Sequence, residues 1–338
     1  MDFTGQDDQC CDRTLEKEID DIDQSDQCPE RLLVSEKNKT DQYPERPVEP
    51  LASDCCGSGC IPCVFDLYEQ ELKLWKEECR KIRQGGKEIC DQEVLCPEKY
   101  LGFKLTSIKP VTRDTFMYRF DIPGGARLGL KAGQHIVLRG SINNQTITRQ
   151  YTPVSELTAQ GYFDVLIKLY PGGQMSQCIR SWKEGDLIQW RGPFGLLQYV
   201  PNVFSKIIML AAGTGIAPMT QVIRVILENE DDETLISLVY ACRTYEDILM
   251  KEQLDQWSGY WNFSVQYVLS QDTQENVIQV KKYNDTVHLG RLNSTLVSQM
   301  VPLTERGQVL ICGTKSFDKD MINHLKKVGW EMKDIFKF

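Results

Sequence analysis

No stretch of this 338-residue chain is apolar for long enough to span a bilayer, and no secretory h-region is present. The start Met1-Asp2 lacks the glycine that myristoylation needs. These absences leave a soluble, cytoplasmic protein as the expectation. No Lys/Arg patch of the kind that grips phosphodiester backbones is visible, so no nucleic-acid partner is expected. No internal repeat marks a solenoid. Basic charge is short at one end only. Residues 1–100 hold 13 Lys+Arg against 25 Asp+Glu, a balance of −12, whereas the remainder holds 26 and 23, a balance of +3. The net −9 therefore describes the front of the chain. Residues 1–50, rich in Asp, Gln and Ser and poor in apolar side chains, are predicted to form a disordered acidic tail.

Cysteine is sparse in the body and crowded ahead of it: ten of the 13 precede residue 97, and four lie in Cys55-Cys56-Gly57-Ser58-Gly59-Cys60-Ile61-Pro62-Cys63. Without a secretion signal or a regular disulfide framework, thiols or a metal site are expected there in preference to bridges. Cys60 and Cys63 have the C-x-x-C spacing that lets two sulfurs face one ion, and Cys55 or Cys56 could complete a four-thiolate shell for zinc or iron–sulfur. A redox-silent packed turn is the alternative, and no metal ligand is assigned. Past the cluster, Val64, Leu67, Tyr68, Leu72, Trp75 and Cys79 fall on one stripe, which predicts a docking helix over residues 64–84.

The body has length for two cores. From Phe103 to about Val200, short alternating runs (Thr115–Asp121, Gln134–Leu138, Phe163–Tyr170, Leu187–Arg191) separated by Gly and Pro read as a small barrel. From about Ser205, strands at 207–212, 235–241, 263–269 and 308–312 alternate with helices at 218–228, 247–257, 293–300 and 317–328. That pattern predicts a doubly wound parallel sheet. Four motifs follow one another along this body. In Arg149-Gln150-Tyr151-Thr152-Pro153-Val154-Ser155, strand alternation points Arg149 and Tyr151 the same way. The arginine could fork onto a pyrophosphate, the ring could lie on an isoalloxazine face, and Thr152 could hydrogen-bond a ring nitrogen. Gly172-Gly173-Gln174-Met175-Ser176 opens a helix over Met175–Trp182 whose amides and Ser176 hydroxyl can bind phosphate. Gly213-Thr214-Gly215-Ile216-Ala217-Pro218 follows the apolar strand Ile207–Ala212 with a glycine turn and a helix opened by Pro218, which suits a dinucleotide although the full glycine fingerprint is absent. Val309-Leu310-Ile311-Cys312-Gly313 ends a strand in a small thiol and a glycine. Each motif has an ordinary reading beside the functional one: a strand entering a Pro turn, a Pro-Gly turn at Pro171-Gly172, a buried core cysteine at Cys312.

In this order the four segments resemble the ferredoxin-NADP reductase superfamily, and most closely the NADH-cytochrome b5 reductase family, over roughly residues 100–338. Lys168 and Tyr170 on the following strand, Arg191-Gly192-Pro193-Phe194-Gly195 and the terminal aromatic Phe338 belong to the same resemblance. It implies a six-stranded antiparallel FAD-binding barrel over residues 99–200 and a parallel α/β domain for the pyridine nucleotide over 201–338. Residues 51–98 form a Cys-rich segment ahead of them, of which Pro50–Leu72 resembles the short oxidoreductase-like domain found at N-termini. The resemblance further implies FAD and NADH as cofactors, held by Arg149, Gln150, Tyr151, Thr152, Leu166, Lys168, Tyr170, Gly173, Gln174, Met175, Ser176, Gly213, Thr214, Gly215, Pro218, Asp247 and Gly313. Thr152 near flavin N5, Lys168 lining the cleft and Cys312 beside the nicotinamide are the implied catalytic residues. His135 matches a family histidine near the flavin edge, but from sequence alone it reads as a surface or structural histidine.

Asp247 stands where these reductases carry an NADH-selecting carboxylate, and Gln271 after Ser270 replaces the arginine of NADPH users. Arg243 points the other way, either toward a 2′-phosphate or into a pair with Glu246 or Asp247. The implied activity is oxidation of NADH through FAD, with release of single electrons to a heme protein such as cytochrome b5. Several positions depart from the family pattern: Gln150, Ala217, Thr314-Lys315-Ser316, Gln174 in place of a lysine, and a loop Val200–Ser205 without paired lysines. The last two weaken attraction to an acidic partner. A second reading keeps a flavin-binding scaffold or redox sensor whose Cys-rich N-terminus docks a partner. A third routes electrons to a metal–sulfur centre at Cys55–Cys63.

Overall fold

The computed structural model describes residues 46–51, 64–83, 93–143, 145–304 and 306–338. The acidic tail and the cysteine cluster that ends at Cys63 lie outside these residues, save for the short piece Arg46–Leu51. Six strands, β1 (Leu101–Pro110), β2 (Thr115–Asp121), β3 (His135–Ile142), β4 (Gln145–Tyr151), β5 (Tyr162–Lys168) and β6 (Leu187–Phe194), form one antiparallel sheet in the order β4-β3-β6-β1-β2-β5. The two end strands close on each other just past β4, where Pro153 bridges Val165 and the Val154 N–H donates to the Asp164 carbonyl at 2.8 Å. Alternation explains the filling: along β2, Tyr118 and Phe120 are buried while Arg119 faces out and forks onto Asp164 at 2.7 Å through both Nε and Nη2. Inside, Phe120 stacks on Phe163 at 5.0 Å, and Trp190 and Phe103 meet these rings edge-on.

A helix α1 (Val64–Arg83) precedes the barrel, in agreement with the stripe read over 64–84. Its Glu71 lies 3.5 Å from Arg191, whose buried guanidinium also covers the Tyr100 ring at 4.8 Å. Burial pushes the Glu71 carboxyl above its usual range against the pull of Arg191. The surface on which this helix docks is therefore the barrel wall at β6.

The glycine-opened helix is α2 (Gln174–Arg180), one residue earlier at its start and two shorter at its end than expected. Beyond Lys206 strands and helices alternate: β7 (Lys206–Ala212), α3 (Ile216–Leu227), β8 (Leu235–Cys242), α4 (Lys251–Trp257), β9 (Phe263–Leu269), α5 (Gln274–Val280), β10 (Thr286–Leu289), α6 (Ser294–Met300), β11 (Gly307–Cys312), α7 (Lys315–Val328) and β12 (Ile335–Lys337). All six strands are parallel, in the order β10-β9-β8-β7-β11-β12. The apolar run of β7 is explained by burial on both faces: Ile207, Met209 and Ala211 pack with α3, while Ile208 and Leu210 pack with α6 and α7 residues. Expected and observed helix starts differ by one or two residues for α3, α6 and α7 and by four for α4. The segment read as a helix from 247 begins at Lys251, because Met250 takes a left-handed conformation (φ 60°) and a 3₁₀ turn occupies Tyr245–Asp247. No helix among the described residues is long and apolar enough to cross a membrane.

Candidate active site

The flavin motif runs through the end of β4. Its register pairs Arg149 with Leu138 and Tyr151 with Ile136, so both side chains stand on the face of two core residues, as alternation requires. Gln150, opposite Val137, is exposed on the other face. The Tyr151 ring meets Trp190 edge-on at 5.8 Å, and burial raises its phenol well above the usual tyrosine range, so it is a neutral ring. The Arg149 guanidinium is exposed and donates from Nη1 to the Thr148 carbonyl at 2.7 Å. Thr152 is half-buried at the strand end. Ser155 is turned to the barrel itself, accepting from the Asp164 N–H at 3.2 Å.

The rest of the motif is held from the other domain. Gln221 on α3 is fully buried; its Nε2 donates to the Pro153 carbonyl at 3.0 Å and its Oε1 accepts from the Gly133 N–H at 3.0 Å. One turn on, Arg224 donates to the Val154 carbonyl at 3.3 Å. Sequence reasoning missed both residues. Their only signal is that they are long polar side chains inside the stretch Ile216–Leu227, which is otherwise apolar but for Thr220. On β5, Leu166 is buried with Val154 and Leu197 against α3, and Lys168 ends the strand. Tyr170 is about half exposed. Its N–H donates to Ser176 Oγ at 2.9 Å, which leaves the buried Ser176 hydroxyl proton to donate elsewhere. Met175 fills the barrel core, Gln174 is exposed, and Gly173 caps α2 where a Cβ would come within 3.1 Å of Ser176 Oγ.

The nucleotide half is built at the carboxyl ends of β7 and β11, where connections leave the sheet in opposite directions. This is the switch point at which doubly wound sheets bind ligands. Gly213, Thr214 and Gly215 form a 3₁₀ turn after β7, and Tyr240 on β8 donates to the Gly213 carbonyl at 2.8 Å. Gly215 is sterically required: a Cβ there would lie 2.1 Å from the Cys312 carbonyl oxygen. Gly313 is similarly confined by the Phe317 ring, 2.5 Å from its would-be Cβ. Pro218 is buried inside α3. Cys312 is half-buried, and burial together with the nearby Asp318 carboxyl pushes its thiol up to about 12, so it stays protonated at neutral pH. Asp318, on the first turn of α7, is buried and raised to about 6, the attraction of Lys337 and the Gly313 N–H only partly offsetting its desolvation. Its Oδ1 has no hydrogen-bond partner among the described residues. His135 is half-buried, and burial lowers its imidazole to about 4, which makes it a neutral ring beside Phe194 at 6.1 Å.

A charged cluster crosses the cleft between the halves. Asp114, on the β1–β2 turn, lies 3.4 Å from Lys168 and 2.9 Å from Arg243. Arg243, just past β8, forks onto Asp247 at 2.8 and 3.0 Å, and Arg113 approaches Asp247 at 3.8 Å. Of the partners weighed for Arg243, Asp247 is the one it takes; Asp114 was unforeseen.

A barrel with a buried hydroxyl and an outward guanidinium beside a neutral aromatic ring, facing the switch point of a parallel sheet, defines a flavoprotein oxidoreductase of the two-domain kind. The donors present suit the phosphates and ring of FAD. Comparison with known proteins agrees. Residues 102–199 match the oxidoreductase FAD-binding domain, residues 209–323 the oxidoreductase NAD-binding domain, and residues 40–84 the N-terminal oxidoreductase-like protein family. The chain is 43% identical over 301 residues to an NADH-cytochrome b5 reductase-like protein of Mus musculus, covering 87% of this chain and 95% of that one. It is 37% identical over 258 residues to NADH-cytochrome b5 reductase 1 of Dictyostelium discoideum, covering 75% of this chain and 86% of that one. Among solved structures, the cytochrome b5 reductase domain of Ulva prolifera nitrate reductase superposes with a TM-score of 0.65 at 26% identity, covering 73% of this chain and 100% of that one. The chain belongs to the NADH-cytochrome b5 reductase family.

Proposed function

We propose that this protein oxidises NADH through bound FAD and passes the electrons singly to a heme protein such as cytochrome b5, in the cytoplasm. FAD, when bound, supplies the conversion of a two-electron donor into one-electron steps. The chain's residues supply binding and geometry. Arg149 and Ser176 hold the pyrophosphate, with Gly173, Gln174 and Met175 shaping the turn beside it. Tyr151 flanks the ring, Thr152 offers its hydroxyl at N5, and Gln150, Leu166 and Tyr170 complete the flavin side. Lys168 and Cys312 line the space between the two rings. Gly213, Thr214, Gly215, Pro218 and Gly313 let the nucleotide approach the sheet edge, and Asp247 takes the adenosine ribose. The flavin-binding part is placed at 99–200, the nucleotide-binding part at 201–338, and the Cys-rich segment at 51–98.

The observation that carries this reading is the joint between the halves. Gln221 binds Pro153 and Gly133 at 3.0 Å each, which fixes the flavin motif against the helix that follows the nucleotide turn. Such fixed proximity is what transfer between two stacked rings requires. Anaerobic stopped-flow with NADH and then NADPH tests it. Rapid bleaching of the flavin absorbance by NADH, followed by reoxidation with ferricyanide and with cytochrome b5, is expected. A yellow protein that neither nucleotide bleaches would overturn the enzyme reading. In that case the scaffold role is favoured, and α1, docked on the barrel through Glu71 and Arg191, is the place to seek a partner.

A further inference from the structure

After the second strand of a doubly wound dinucleotide sheet, a carboxylate suits the 2′-hydroxyl of NADH and a guanidinium suits the 2′-phosphate of NADPH. This chain has both at the end of β8, Arg243 and Asp247. A guanidinium has five N–H donors, and its use elsewhere decides whether it can serve a phosphate. The local pair with Asp247 takes only Nε and one N–H of Nη2. The remaining edge is covered by Asp114, whose Oδ1 accepts from Nη2 at 3.1 Å and whose Oδ2 forms an ion pair with Nη1 at 2.9 Å. Asp114 comes from the other domain and is anchored there. Its Oδ1 accepts from the hydroxyls of Thr112 and Thr115 at 3.2 and 3.3 Å, its Oδ2 faces Lys168 at 3.4 Å, and its own carbonyl accepts from the Leu169 N–H at 2.7 Å. Burial alone would raise the Asp114 carboxyl, but the Arg243 hydrogen bonds and the Lys168 charge outweigh it and hold the group below the usual carboxylate range. Three of the five donors of Arg243 are thus hydrogen-bonded, one of them to a carboxylate from the flavin domain, whose second oxygen also stands in ion-pair contact with Nη1.

We propose that Asp114 is a specificity-determining residue supplied by the flavin domain. By occupying the outer edge of Arg243 it withholds that cation from a 2′-phosphate, so a chain that carries an arginine of the NADPH-using type selects NADH. The inference rests on the reading above that the adenosine ribose lies at Asp247. The Asp247 pair by itself would leave three N–H groups of Arg243 able to meet an anion.

The test uses the full chain loaded with FAD. Binding of 2′,5′-ADP and of 5′-ADP is measured by calorimetry, and kcat/KM for NADPH and NADH is measured with ferricyanide. Asp114→Ala is expected to shift the 2′,5′-ADP to 5′-ADP affinity ratio, and the NADPH to NADH ratio of kcat/KM, upward by roughly tenfold, the scale of one charge-assisted phosphate contact. Asp114→Glu, which keeps the charge, is expected to stay at the native ratios, and Asp114→Ala/Arg243→Gln to return to them. Unchanged ratios in Asp114→Ala, or the same shift in the double variant, would overturn the proposal. If Asp114→Ala does not retain FAD, Arg243→Gln alone decides: unaltered discrimination against the 2′-phosphate supports the proposal, and a fall in NADPH use refutes it. Failure of either ADP to bind the native protein would strike the nucleotide-site reading itself, whereas binding with unaltered ratios strikes only the role of Asp114.

Discussion

Replacing Asp318 with Asn removes a buried carboxyl beside Cys312 and should stabilise the protein at alkaline pH. Desolvation, net of the pull of Lys337 and the Gly313 N–H, raises Asp318 from 3.8 to about 6, roughly two pH units. At about 1.4 kcal/mol per unit, ionising it in the folded state costs about 3 kcal/mol relative to the unfolded chain. Between those two values the folded protein holds the proton that the unfolded chain has released, so stability falls as pH rises through that window and is level above it. The asparagine oxygen can still accept from the Gly313 N–H. The attraction of Lys337 is already contained in that net shift, so only loss of a carboxylate on the first turn of α7 is set against it, returning up to about 1 kcal/mol. The expected gain is therefore about 2 kcal/mol at pH 8, shrinking to near zero by pH 4. Urea denaturation of the FAD-loaded chain, native and Asp318→Asn, would be compared at steps across that range. Parallel pH profiles, or a variant weaker than native at pH 8, would refute the assignment of the unpaired oxygen as a desolvated charge. The same variant should leave the Cys312 thiol easier to ionise, which alkylation with iodoacetamide at pH 9 would read as a faster rate.

Three other perturbations address the joint and the cleft. Gly215→Ala places a Cβ 2.1 Å from the Cys312 carbonyl oxygen and forces the ends of β7 and β11 apart. NADH bleaching should fall by far more than FAD content, and equal losses would contradict the local account. Gln221→Leu strands the Pro153 carbonyl and the Gly133 N–H at a cost of about 1–3 kcal/mol each. A lower thermal midpoint with earlier release of fluorescent flavin is expected, and an unchanged midpoint would show that water replaces the amide. Cys312→Ser should slow bleaching by NADH with FAD fully retained; an unaltered rate would remove Cys312 from the space between the rings.

The elements that were legible in the sequence are those whose burial is periodic. Thr115–Asp121 alternates cleanly from Tyr118 onward and matches β2 to the residue, and the apolar run Ile207–Ala212 lies within β7. β1 did not stand out because its register shifts between Leu105 and Ser107, which breaks the period of two on which recognition depends. α5 buries only Val277 and so carries no apolar stripe, and β10 is four residues long and half-exposed. At the site, residues identified by local pattern lie at or near strand ends: Tyr151 closes β4 with Arg149 two residues before it, Lys168 closes β5 and Cys312 closes β11. Those whose meaning is a distant partner were invisible. Gln221 meets Pro153 68 residues away and Arg243 meets Asp114 129 residues away, separations that no local spacing encodes.

Pro153 and Val154 close the barrel with their bridge to β5 and, through their carbonyls, receive Gln221 and Arg224 of the neighbouring domain. Two backbone positions thus serve as seam and hinge pin at once. An engineer who wishes to exchange the nucleotide domain for another of the same fold inherits a matching rule: the incoming helix must present an amide and a guanidinium three positions apart, or the barrel's own seam loses its lining.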